Sequence, residues 1–159
     1  MKRGFTLIEL LVVIGIIAIL MAIVLVAVNP GRQFASARDT ERQAHLHAVT
    51  SAIYQFAAEH DGNLPDPDDV VATNNFPTCA AGAEDIGTNG MGLGTAGFSD
   101  DGADGVDDPI VPTYIAEIPV DPQGGTAADT LYTICVDANG RLVATATGTE
   151  LGDDIVITR

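Results

Sequence analysis

The chain has 159 residues, which suits one compact domain with an anchoring segment but not two large domains. It carries 22 acidic residues against seven lysines and arginines, so its formal net charge is −15. An acidic surface repels phosphate backbones, which excludes nucleic-acid binding through bulk charge. Aromatic residues make up only 5 %, so the core must be modest.

The N-terminus combines a basic start with a long apolar run. Lys2 and Arg3 precede the run, which carries no charge from Leu10 to Val28. About 20 apolar residues span the core of a bilayer, and positive charges stay on the cytoplasmic side. We therefore predict a retained membrane anchor, with the N-terminus in the cytoplasm and the rest of the chain outside.

The stretch Gly4-Phe5-Thr6-Leu7-Ile8-Glu9 resembles the signal sequence of type IV pilins and type II secretion pseudopilins. The resemblance implies cleavage between Gly4 and Phe5 by a membrane prepilin peptidase, and N-methylation of Phe5. It also implies a non-enzymatic subunit that leaves the cytoplasmic membrane to join an extracellular homopolymer, built by pilus or secretion machinery. The stretch Ile118-Pro119-Val120-Asp121-Pro122 and the Asn139-Gly140 hairpin look like later parts of the same family.

Glu9 lies inside the apolar run, where a lone carboxylate costs about 2.5–3.5 kcal/mol and needs a partner. Cleavage after Gly4 would create a positively charged amine on Phe5, one helical turn away. We predict that Glu9 of one subunit pairs with the Phe5 amine of a neighbour and sets the register of assembly. The alternative is a tolerated glutamate near the lipid headgroups.

A second helix follows an interruption at Asn29-Pro30-Gly31, where proline removes an N–H and predicts a kink. Apolar residues then recur at helical spacing and form one stripe: Leu46, Val49, Ile53 and Phe56. Residue pairs three apart are expected to form ion pairs on the solvent side: Arg38 with Glu41, and Asp39 with Arg42. Gly62 is the expected helix stop.

The remainder predicts a small antiparallel sheet. Residues 66–129 are rich in Gly, Pro, Asp and Ala and look loop-like. Residues 131–136 and 141–147 read as strands around the Asp137-Ala138-Asn139-Gly140 turn, and residues 155–157 can add a third strand. The predicted class is α+β: a long kinked N-terminal helix, transmembrane in its first half, with the sheet packed on its second half.

We divide the chain into a leader (residues 1–4), a hydrophobic transmembrane and assembly helix (5–28), an amphipathic continuation (29–62) and a globular head (63–159). Cys79 and Cys135 follow no metal-ligand spacing, and in an exported head we predict that they form a disulfide. Two unrelated buried thiols are the alternative.

An acidic run lies in the middle of the chain, with its carboxylates at Asp100, Asp101, Asp104, Asp107 and Asp108. Oxygen-rich loops with glycine at the bends suit calcium, and Gly105 falls where an EF-hand needs glycine. However, Gly102 and Val111 stand where that pattern requires acids. A calcium site and a solvated acidic loop both remain open, and no other cofactor is expected.

Nothing in the sequence predicts a catalytic centre. The serines lie in no nucleophile elbow or phosphate loop, and His45 and His47 are two apart, which suits surface residues better than metal ligands. We therefore predict a pilus subunit that is not an enzyme. The alternatives are a pseudopilin of a type II secretion system and a membrane-anchored ligand-binding domain.

Overall fold

The computed structural model describes residues 4–65, 76–88, 90–92, 109–152 and 154–159. The chain divides into two compact units, Met1–Ala37 and Arg38–Arg159. The elements, in chain order, are helices α1 (Leu7–Val28) and α2 (Pro30–Glu59), strand β1 (Glu84–Asp85), the short helix α3 (Ile110–Thr113), and strands β2 (Tyr132–Val136), β3 (Leu142–Ala146) and β4 (Ile155–Thr158). The predicted α+β class is confirmed.

The first unit contains α1 and the start of α2. None of the residues of α1 is buried, and within the described part of the chain α1 is the one helix that could cross a membrane by its length and composition. Its end is set by Asn29, which adopts a left-handed conformation with φ of 46°. The side-chain oxygen of Asn29 then accepts from the Arg32 N–H, 3.4 Å away, so one residue caps both helices. The predicted interruption is confirmed.

The second unit is built on α2 from Arg38 onward. The predicted apolar stripe is fully buried, and its four residues are joined in the core by side chains from the sheet, among them Tyr132, Ile134 and Leu142. The predicted helix stop is also present. Gly62 has φ of 91°, and its N–H donates to the Ala57 carbonyl at 2.7 Å, which satisfies one carbonyl of the last helical turn.

The sheet is antiparallel with strand order β1-β2-β3-β4. The predicted hairpin joins β2 to β3 with Val136 opposite Leu142. Its turn is held by Asp137, whose Oδ1 accepts from the Asn139 N–H at 2.8 Å and the Arg141 N–H at 2.9 Å. The predicted third strand is β4.

Strand β1 is a correction to the loop expected across residues 66–129. It pairs Glu84 with Ile134 and Asp85 with Thr133. Two residues are too few to show an alternating pattern, so only pairing with β2 reveals this strand.

A disulfide joins Cys79 to Cys135, with Cα atoms 5.0 Å apart and a sequence separation of 56. Backbone hydrogen bonds support it on both sides of Thr78, from the Cys79 N–H to the Val136 carbonyl at 2.9 Å and from the Val136 N–H to the Pro77 carbonyl at 2.8 Å. Closing a loop of this length contributes about 4 kcal/mol in the chain-entropy model. The disulfide therefore fastens the segment before β1 to β2.

Candidate processing and assembly site

The Gly4–Phe5 peptide bond lies just before α1. Residues 4–6 have no regular secondary structure, and Phe5 is 84 % exposed. No described atom lies within 4 Å of where a side chain on Gly4 would begin. The bond at which the resemblance implies cleavage is therefore outside the helical hydrogen-bond ladder and unobstructed by the rest of the first unit.

Thr6 and Glu9 form a capping box that starts α1. Glu9 Oε2 accepts from the Thr6 N–H at 2.8 Å and from Thr6 Oγ1 at 2.6 Å, while the Glu9 N–H donates to Thr6 Oγ1 at 3.3 Å. These bonds satisfy N–H groups that the first turn of a helix leaves without partners. The role of Thr6 was not predicted, although a threonine three residues before a glutamate is a recognisable signal for this motif.

The capping box gives Glu9 a partner within its own chain. The Glu9 carboxylate, which was predicted to lack a partner in its own chain, is thus hydrogen-bonded to Thr6 while the leader is attached. Phe5 adjoins Thr6, so cleavage would create a positive amine beside the same hydrogen-bonded group. The pairing of Glu9 with a neighbour's Phe5 stays a prediction, and it would require Glu9 to exchange or share its bonds with Thr6.

A second polar cluster lies in the other unit and is centred on Arg42, which is fully buried. Its Nε donates to Asp121 Oδ2 at 2.6 Å and its Nη2 to Asp121 Oδ1 at 3.1 Å. Its Nη1 donates to Asp39 Oδ1 at 2.6 Å. The side chain of Asp121 is only 1 % exposed, so this bidentate ion pair is buried.

The cluster corrects two predictions. Arg42 does pair with Asp39, but in the interior and not on the solvent side. Arg38 pairs with Glu150 and not with Glu41. The sequence signal was weak, because an arginine at i+3 from an aspartate fits an exposed face as well as a buried one.

Asp121 lies in the loop that precedes β2. Its Oδ1 also accepts from the Gln123 N–H at 2.8 Å. Arg42 therefore fixes this loop, which precedes β2, against α2. The ion pair thus stabilises the packing of the loop before β2 on α2.

The ion pairs shift the pKa values of their members. The hydrogen bond to Asp121 raises the pKa of Arg42 against the opposing effect of burial. Burial by itself raises the pKa of Asp121, but hydrogen bonds from Arg42 and the Gln123 N–H outweigh it, and the pKa lies below its ordinary value. The hydrogen bond from Arg38 lowers the pKa of Glu150. Folding of the head thus favours the ionised form of each carboxylate over the protonated form.

Stability of the head is expected to fall in acid. The pKa values of Asp121 and Glu150 are lowered, and bonds from the Arg141 N–H and guanidinium lower the pKa of Asp137 to about 2. A carboxylate whose pKa is lowered by folding stabilises the head at any pH above its pKa in the unfolded chain, which is near 4. This contribution is lost as pH falls through the pKa of the same group in the folded chain. Thermal unfolding of the full-length chain in nonionic detergent, followed by near-ultraviolet circular dichroism, should show the midpoint dropping between about pH 5 and about pH 2.

Two variants check the assignment of this pH dependence. Asp137→Asn should remove the part of the fall in thermal midpoint that lies nearest pH 2, because the pKa of Asp137 in the folded head is about 2. Burial raises the pKa of Asp85, so protonation of this group in acid opposes the fall in thermal midpoint. Asp85→Asn removes that opposing effect and should make the fall steeper. A midpoint that stays constant across the acid range would contradict the prediction.

Two histidines, His45 and His60, are half-buried, whereas a surface position was predicted for His45. His45 Nδ1 lies 3.0 Å from Tyr132 Oη, and His60 stacks on Phe56 with ring centroids 3.9 Å apart, so both contribute to packing at the edge of the core. Among the described residues, no group of three or more histidine, cysteine or acidic side chains is placed to hold a metal ion. The acidic run from Asp100 to Asp108 lies outside the described residues, and its calcium site stays a prediction.

Comparison with known proteins identifies the N-terminal segment of the chain and gives no match for the head. No curated protein and no solved structure matches the chain. The model of the prokaryotic N-terminal methylation motif matches residues 1–25. This range includes the Gly4–Phe5 bond, the capping box and most of α1. The chain therefore carries the prokaryotic N-terminal methylation motif, the prepilin signal of type IV pilins and pseudopilins.

Proposed function

We propose that the chain is the precursor of a structural subunit of an extracellular type IV pilus. It is anchored in the cytoplasmic membrane by α1, cut after Gly4 by prepilin peptidase, and then polymerised with identical copies through the same helix. The head, which is the second unit from Arg38 onward, forms the outer part of the filament. Its role is structural and not enzymatic.

The observation that carries this proposal is the complete exposure of α1 directly behind a prepilin signal. Seventeen large apolar side chains of α1 are exposed. Burying one such side chain contributes about 1.5–3 kcal/mol, so together they amount to tens of kcal/mol. This exceeds the net stability of an ordinary domain, which is about 5–15 kcal/mol. The helix must therefore be covered, first by lipid and then by α1 of other subunits.

Processing supplies the first test of this function. Filaments sheared from cells should contain a chain that begins at N-methylated Phe5, because the Gly4–Phe5 bond is exposed and lies outside α1. Mass spectrometry of the N-terminal peptide measures this directly. Gly4→Val is a matched control, since it adds a branched side chain beside the bond to be cut and should leave the leader attached. Assembled filaments that retain residues 1–4 would refute the proposal.

A second experiment separates the pilus from the secretion pseudopilus. Deleting the gene should remove surface filaments without changing the set of secreted proteins. Loss of secreted enzymes with unchanged surface filaments would instead assign the chain to a type II secretion system.

A further inference from the structure

The processed chain has few positive charges, and most are already used within the subunit. Cleavage after Gly4 leaves no lysine and five arginines against 22 carboxylates, a formal charge of −17. All five arginines lie in the described part of the chain. Three are held in ion pairs inside the head: Arg38 with Glu150, Arg42 with Asp39 and Asp121, and Arg141 with Asp137.

Only two arginines remain for contacts with other copies. Arg32 and Arg159 are exposed, and neither forms an ion pair with a described carboxylate. Arg159 donates to Ser51 Oγ at 2.7 Å. Two arginines per subunit are too few to neutralise the carboxylates of a neighbour, so intersubunit ion pairs cannot balance the charge.

The carboxylates left without arginine are distributed over the head. Several are exposed and form no ion pair with a described arginine: Glu59, Asp61, Glu84, Glu117, Asp129 and Asp154. They come from the end of α2, from β1, and from the loops around α3, β2 and β4. The segments outside the described ranges contain further acidic residues and, once the leader is removed, no lysine or arginine. The surface therefore has an excess of negative charge and no compensating basic patch.

Two forces of different salt dependence then act on an assembled filament. Packing of α1 against other copies is hydrophobic, and salt does not screen it. Repulsion between heads is electrostatic, and its range is the Debye length, about 30 Å at 0.01 M and about 3 Å at 1 M ionic strength. Heads brought side by side by their α1 helices repel one another at low salt and are screened at high salt.

We infer that the cohesion of the filament depends on salt, because dissolved cations screen the repulsion between its acidic heads. This inference rests on the proposed function, since it concerns subunits packed in a filament. The screening agent is ionic strength itself, and sodium is sufficient. The chain is thus suited to a saline environment, where screening is always present.

Native filaments sheared from cells grown in saline medium provide the test. They are dialysed into NaCl at about 1, 0.1 and 0.01 M, with EGTA present to remove calcium, and sedimented. The pelleted fraction should be greatest at the highest salt and least at the lowest, and electron microscopy should show shortened filaments at the lowest. An equal pelleted fraction at every NaCl concentration would overturn the inference.

Charge variants give a matched pair of controls. The triple change Glu84→Gln, Glu117→Gln and Asp154→Asn removes three exposed carboxylates and should lower the salt concentration at which half of the filament is lost. Arg159→Gln removes an exposed cation of the head and should raise that concentration. Midpoints that do not move in these opposite directions would contradict repulsion between heads.

Two further outcomes are distinguishable. If NaCl fails to preserve the filaments but calcium at the same ionic strength succeeds without EGTA, a specific cation site holds them together and general screening is wrong. If neither the native chain nor the triple variant forms filaments at any salt concentration, the proposed function fails, and the inference fails with it.

Discussion

Replacing Glu9 with alanine is expected to leave the chain in the membrane and to reduce filament yield about a hundredfold, from a loss of about 2.5–3.5 kcal/mol. In the precursor, the Glu9 carboxylate is bonded to Thr6. In the proposed filament, cleavage would place a free amine on Phe5 in a packed apolar interior. Without Glu9 this amine would have no counter-ion there. Quantitative electron microscopy and immunoblots of sheared and membrane fractions measure the two pools separately.

The variant Glu9→Gln distinguishes assembly from helix capping. Glutamine at this position also completes a capping box, because its amide oxygen can accept from Thr6. If Glu9 only starts the helix, Glu9→Gln should produce filaments at the native level. If its charge sets the register between copies, Glu9→Gln should fail nearly as fully as Glu9→Ala. Normal yield from Glu9→Gln would therefore refute the intersubunit role.

Replacing Arg42 with methionine is expected to lower the free energy of unfolding of the head by about 3–5 kcal/mol. Methionine fills much of the space of arginine but leaves Asp121 buried at 1 % exposure without a cation. The loop that contains Asp121 would then be released from α2. Denaturant unfolding of the full-length chain in nonionic detergent, followed by near-ultraviolet circular dichroism of its three tyrosines, measures the change.

Two variants show that burial is the cause of this loss. Arg38→Met breaks the pair between Arg38 and Glu150, whose side chains are 31 % and 21 % exposed, and should cost much less than Arg42→Met. Arg42→Met combined with Asp121→Leu removes both buried charges and should recover most of the stability lost in Arg42→Met. If Arg42→Met costs no more than Arg38→Met, the buried pair is not the main support of this loop.

Local patterns in the sequence determined the helices and the hairpin. The uncharged run predicted α1, Asn29 and Pro30 predicted its end, and the apolar spacing from Leu46 to Phe56 predicted the buried face of α2. The turn at Asn139-Gly140 predicted the pairing of β2 with β3. Each of these features is fixed within a few residues, by side-chain periodicity, by the φ angle that proline or glycine allows, or by a missing N–H.

The candidate site was predictable only in part. Gly4, Phe5 and Glu9 were identified because the signal is a contiguous motif. The role of Thr6 was also local, and the capping-box spacing was sufficient to reveal it. Whether Glu9 also pairs with the Phe5 amine of another copy depends on packing between subunits, which the spacing of residues within one chain does not encode.

Only the tertiary structure decided the partners of the charged side chains. Arg42 and Asp121 are 79 positions apart, and no periodicity links them. From sequence, Arg42 looked like one more exposed charge on α2, whereas the loop before β2 covers it and supplies its counter-ion. Likewise β1 exists only because β2 pairs with it. These contacts depend on how the chain folds back on itself, since an ion pair or a strand pair needs proximity in space that spacing along the chain does not encode.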